Sequence, residues 1–164
     1  MAKKRMAWET AHYLGIVTNS ETETIHLLGV GVKSLNRSPA PQTTTNAYIN
    51  DRNASPTVTG YQNSFTVNYD DIVDDEAVKA LQAVADEQKV GADAEVYYYR
   101  VDLLDGEEAG GYKAVRYRVA CEPGDETNEA SQIVSATCVL RQVGDLTKGT
   151  MALSPEVKFT PDAE

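Results

Sequence analysis

At 164 residues and 41% hydrophobic, the chain has the size of one domain and enough apolar material for one core. Its 25 acidic and 15 basic residues give a formal net charge of −10. That balance argues against a protein that grips nucleic acid through Lys and Arg, and against docking on an anionic membrane.

Residues 1–22 show no clear period and read as an N-terminal arm with a short strand at Tyr13–Val17. The basic trio Lys3-Lys4-Arg5 is not followed by an apolar run of signal-peptide or membrane-span length. Synthesis and retention in the cytoplasm are therefore expected. Alternation predicts a first full strand over Ile25–Leu35, with Leu28, Val30 and Val32 on one face. Gly29 and Gly31 inside it signal a bend or a close backbone approach.

Residues 36–56 differ in kind. They hold Pro39, Pro41 and Pro56 and few core candidates, which predicts a long functional loop. Tyr48-Ile49 offers apolar surface that such a loop cannot bury itself. Alternation resumes over Thr57–Tyr69, with Tyr61, Phe65, Val67 and Tyr69 on one face and Asn63 as the polar exception.

Five carboxylates in Asp70–Glu76 precede a helical stripe of Ala77, Val78, Leu81, Val84 and Ala85. Asp74 or Asp75 is the expected cap, and Lys89 with Gly91 the expected stop. Strands follow at Glu95–Leu104, Tyr112–Cys121, Ala130–Val143 and Thr150–Phe159, with turns at Asp105–Gly111 and Pro123–Glu126. Tyr97 and Tyr99 are expected in the core, while Tyr98 faces the other way beside Arg100 as a candidate contact. The pattern is α+β and mainly antiparallel β: a β-sandwich or flattened barrel of about seven strands with one flanking helix.

Catalytic and metal signatures do not emerge. His12 and His26 lack partners at metal-ligand spacing, Asp70–Glu76 lacks the pattern of a calcium loop, and Gly29–Lys33 lies in a strand rather than before a helix. Cys121 and Cys138 fall in strand-like segments and read as buried free thiols. No cofactor is expected, and the chain reads as a structural protein rather than an enzyme. The rival reading is a monomeric β-sandwich module that binds carbohydrate or peptide through exposed tyrosines.

Residues 23–159 resemble the tail tube (major tail) proteins of long-tailed phages and prophages. The resemblance rests on the order of Gly29–Leu35, the Pro-rich loop with Asn46-Ala-Tyr-Ile-Asn-Asp51, Thr59-Gly-Tyr61 and its strand, the helix at Asp75–Lys89, paired strands, and Gly149–Leu153. It implies two roughly orthogonal sheets, hexameric rings that stack, and an acidic bore through which DNA passes without specific binding. It further implies a virion tail location, synthesis in the host bacterium, and tape-measure, terminator and baseplate proteins as partners. The loop 36–56 then becomes an assembly element, with Arg37, Pro39, Pro41, Gln42, Tyr48 and Ile49 as contacts to neighbouring subunits. Lys3, Lys4 and Trp8 in the arm, and Tyr98, are weaker candidates, and residues 160–164 form a C-terminal tail. Which sheet face lines the bore is not fixed by alternation, since both faces of Glu95–Leu104 carry large residues.

Overall fold

Both faces of the central strand are buried, and this organises the molecule. A computed structural model describes residues 2–18 and 22–163. Among these, β1 (Thr10–Thr18), β2 (Thr22–Leu27), β3 (Val32–Ser38), β6 (Ser64–Asp70), β7 (Glu95–Glu107), β8 (Gly111–Thr127), β9 (Ser135–Gln142), β10 (Thr147–Ala152) and β11 (Lys158–Pro161) build one antiparallel sheet. A separate two-stranded ribbon consists of β4 (Pro41–Asn46) and β5 (Ser55–Tyr61). The fold is α+β, dominated by antiparallel strands.

The main strand order is β2-β1-β7-β8-β9-β6-β3, and β8 makes the sheet fork. Its first part, Tyr112–Arg116, pairs with β10, and its second part, from Val119 on, pairs with β9. One branch closes over each face, so two apolar clusters form. Leu14, Phe65, Tyr98, Tyr117, Val119 and Leu140 meet on the first face, where the helix also packs. Tyr13, Tyr99, Val101, Ala114 and Met151 meet on the second, under β10 and β11.

The first branch must curl. β6 lies three strands from β7 along the sheet, about 14 Å if flat, yet the rings of Phe65 and Tyr98 have centroids 4.5 Å apart. The layers of the expected sandwich are thus halves of one curled sheet.

α1 (Glu76–Asp86) is capped by Asp75, whose carboxylate accepts from the amides of Ala77 and Val78 at 2.9 and 3.3 Å. Ala77, Val78, Leu81 and Val84 are buried, whereas Ala85 is exposed. The helix ends earlier than Lys89. Gln88 takes a left-handed φ of 51°, and the Lys89 amide donates back to the Val84 carbonyl, so Gln88 rather than Gly91 makes the stop.

Several sequence expectations shift. The strand Ile25–Leu35 is two strands separated by a bend at Leu28–Gly31, and Val30 is exposed. Gly31 permits that bend: a Cβ there would lie 2.8 Å from the Asp70 carbonyl and 2.7 Å from Ile72. Thr57–Tyr69 also divides, leaving Tyr61 exposed while Phe65, Val67 and Tyr69 are buried. The turn at Pro123 is instead a bulge within β8, and Thr150–Phe159 is the β10–β11 hairpin rather than one strand. The strand expected at Tyr13–Val17 is longer and interior, paired with both β2 and β7, so much of the N-terminal arm is sheet. Cys121 and Cys138 are buried and unbridged, and the Cys121 thiol is pushed up by the adjacent Cys138 sulfur and by burial.

Candidate functional site

The ribbon continues an edge of the sheet. β3 pairs with β6 up to Ser38 opposite Ser64, and after a break at Pro39–Ala40 the same two chain segments pair again from Pro41 opposite Tyr61. Ala40 has a φ of 39°, and its carbonyl accepts from the Gln62 amide at 3.1 Å. A shift of register between Gln42 and Thr43 adds twist at the root. Asn63 anchors the root from within: it is buried, and its side-chain amide donates to Gln142 Oε1 at 2.6 Å.

Every residue from Pro41 to Thr59 is exposed. Among the described residues the two strands pair only with each other, so both outer edges of the ribbon are unpaired there. A lone two-stranded ribbon is marginal in water because it buries almost nothing. Its residues nevertheless favour strands: Thr43, Thr44, Thr45, Thr57, Val58 and Thr59 are β-branched. Between Pro41 and Tyr61 the only charged side chains are Asp51 and Arg52, in a chain of net charge −10. Free edges, strand-forming residues and little charge are the features that natural proteins usually suppress when no partner is intended.

The candidate residues fall at the two ends of this ribbon. Arg37, Pro39, Pro41 and Gln42 lie at the root, and Tyr48 and Ile49 at the tip, where they are 66% and 101% exposed. The six residues of β4 put about 20 Å between the groups. Tyr61, opposite Pro41, and Val58, opposite Thr43, which alternation alone marks as strand rather than contact residues, add exposed apolar surface at and just beyond the root.

The sheet brings the N-terminal segment to the root. Arg5 pairs with Asp102 at 2.6 Å, and Lys3 pairs with the buried Glu9 at 2.9 Å. Lys4 is exposed, and Trp8 is 72% exposed. Tyr98 is corrected: it is 0% exposed, packed on Phe65 and Tyr117, and offers no surface for a partner. Its hydroxyl lies 2.6 Å from His12 Nδ1. Burial, then the nearby Arg100 guanidinium, pushes His12 down to about 4, so it is neutral at pH 7.

Above these rings opens a cleft of about 350 Å³, walled by Arg5, Arg37 and Arg100 and containing no carboxylate. Sequence reasoning reached Arg37 but not its neighbours, because the pairing of β1 with β7 and the curl of β3 and β6 create the proximity. Among the described residues, His, Cys, Asp and Glu nowhere gather in threes as a metal site would require.

No protein-family model and no curated protein matches the sequence. Solved structures do. A chain of the SPP1 tail tube superposes with a TM-score of 0.68 at 14% identity, covering 90% of this chain and 80% of that one. A chain from the tail of an empty gene transfer agent particle, refined with C6 helical symmetry, gives 0.60 at 11% identity over 88% and 98%. A chain of the sheath–tube complex of the PVC contractile injection system gives 0.52 at 7% identity over 90% and 92%. The chain therefore has the fold of phage tail tube proteins.

Proposed function

We propose that the protein is the structural subunit of a phage tail tube: six copies form a ring, rings stack, and DNA passes through the bore. The observation that carries this reading is the ribbon, β4–β5, projecting with two unpaired edges and an apolar tip. Such an element gains stability when a second copy covers it, because edge pairing satisfies backbone groups and buries Tyr48, Ile49 and Val58. A net charge of −10 per copy suits a conduit, since carboxylates repel phosphates where Lys and Arg would hold them. The subunit is read as synthesised in the host bacterium, without catalytic activity, and as meeting other tail proteins at the tube ends. Solved tail and injection-system assemblies with this fold support the reading.

Electron microscopy of the purified protein tests it, with rings or tubes expected at high concentration. Replacing Pro41–Tyr61 by a short Gly-Ser turn should leave a cooperatively folding domain that makes neither. Tubes from that variant would refute the role of the ribbon, and a strictly monomeric wild-type protein would favour a ligand-binding module.

A further inference from the structure

Outside the ribbon, the described arginines are engaged everywhere except in the cleft at its root. Arg118 pairs with Glu95 and Arg141 with Glu122, while Arg116 lies over the rings of Tyr97 and Phe159 at 4.9 and 5.4 Å. In the cleft Arg5 engages Asp102, but among the described residues Arg37 and Arg100 have no ion-pair partner. Two acids border the cleft, and both are taken: Asp102 by Arg5, and the buried Glu9 by Lys3. Arg100 also acts on Asp102 through space, yet one carboxylate among three guanidinium groups leaves an excess of two positive charges.

The fold holds these charges together. Arg100 stands opposite His12 in the pairing of β7 with β1, two positions along from Tyr98. Arg37 stands opposite Phe65 in the pairing of β3 with β6. The packed rings of Phe65 and Tyr98, 4.5 Å between centroids, therefore set the two arginines on opposing walls of one cleft. Neither wall can retreat without unpacking those rings. Over an apolar floor that includes Leu35 and Phe65, the repulsion between unpaired guanidinium groups is screened less than in open water. Thr10 and His12 add hydrogen-bonding groups to the lining. With the Tyr98 hydroxyl donating to His12 Nδ1 at 2.6 Å, the neutral ring carries its proton on Nε2 and remains a donor. A volume of about 350 Å³ suits a small ligand.

We propose that the cleft is a binding site for a phosphate dianion, free or at the end of a small ester. Two idle guanidinium groups match its two negative charges. A tetrahedral phosphate presents oxygens to both walls at once, whereas a planar carboxylate carries one charge and presents one edge. Bound there, the anion ties β3 to β7 across the open side of the curled sheet, and it stabilises the folded chain by mass action. The inference goes beyond the assembly reading and stands whether or not copies of the chain polymerise.

Phosphorus NMR of inorganic phosphate added to the full-length chain tests it, at mildly alkaline pH and constant ionic strength. The phosphate line should broaden saturably, chloride should not displace it, and the melting temperature should rise with phosphate. Arg37→Gln changes an exposed side chain and should weaken binding about tenfold or more, with unaltered melting in the absence of phosphate. Arg100→Gln should act alike, and Arg118→Gln, on a paired arginine outside the cleft, should bind as wild type does. Glycerol phosphate in place of the free ion separates the two sources: equal affinity assigns an ester, weaker binding the free ion, and both support the site. No saturable broadening, or broadening that survives Arg37→Gln, overturns it. A short DNA duplex that binds through Arg37 where phosphate does not overturns the small-anion assignment. Failure of the wild-type chain to form tubes counts against the assembly reading alone.

Discussion

The ribbon and the body of this protein are made of similar strands and have opposite relations to water. β7 hides both of its faces, with Tyr98 and Tyr99 each 0% exposed, whereas β4 hides neither. The difference is that the body forks at β8 and folds a branch over each face, while among the described residues β4 and β5 have no layer above or below. Strand pairing alone therefore does not stabilise a sheet. Covering its faces does, and among the described residues the ribbon has no such cover.

This contrast can be broken at measurable points. Phe65→Ala should cost the body about 3–5 kcal/mol in urea denaturation, because it empties the space between Tyr98 and Tyr117, whose ring centroids lie 4.5 and 5.0 Å away. A loss below about 1 kcal/mol would mean that the curled branch is loosely packed.

His12 makes the next effect. Its folded-state value of about 4 lies below the ordinary 6.5, so the unfolded chain takes up a proton first as the pH falls. Its contribution is present above pH 6.5 and lost between 6.5 and about 4. Allowing for its partial exposure, the loss is on the order of 2 kcal/mol. His12→Gln should flatten the fall in stability between pH 7 and 4.5, and an unchanged slope would argue against a desolvated ring beside Arg100.

The smallest stability effect belongs to the ribbon tip. Ile49→Asp should change unfolding of the unassembled subunit by less than about 0.5 kcal/mol, yet abolish tubes under the microscope. A stability loss of about 2 kcal/mol would show instead that the tip packs on its own body.

Much of the body was legible in one dimension. The stripe Ala77, Val78, Leu81 and Val84 names the buried helix face, and Asp75 sits where a cap must be. Alternation likewise gives Phe65, Val67 and Tyr69, or Tyr117, Val119 and Cys121. It fails where a strand is covered twice. Tyr98 reads as surface because period two assigns one face to water, and nothing local announces the second branch. The left-handed Gln88 was masked by Gly91, a better candidate on intrinsic grounds. Residues 36–56 read as a functional loop because prolines and polar residues deny them a core, but their pairing as a ribbon emerges only from the register with β5. The arginine cleft needed tertiary structure throughout.

The place of β1 sets an order on synthesis. Synthesised before its partners, it stands between β2 and β7, and His12 meets Tyr98 86 positions later. β4 and β5 are neighbours in sequence and can zip as soon as both emerge, since local contacts close fastest. A nascent chain ending before Arg100 thus carries both strands of the ribbon but not the strand that completes the body. Ribbon and body are therefore completed at different times, the one by local pairing and the other only when β7 arrives to stand beside β1.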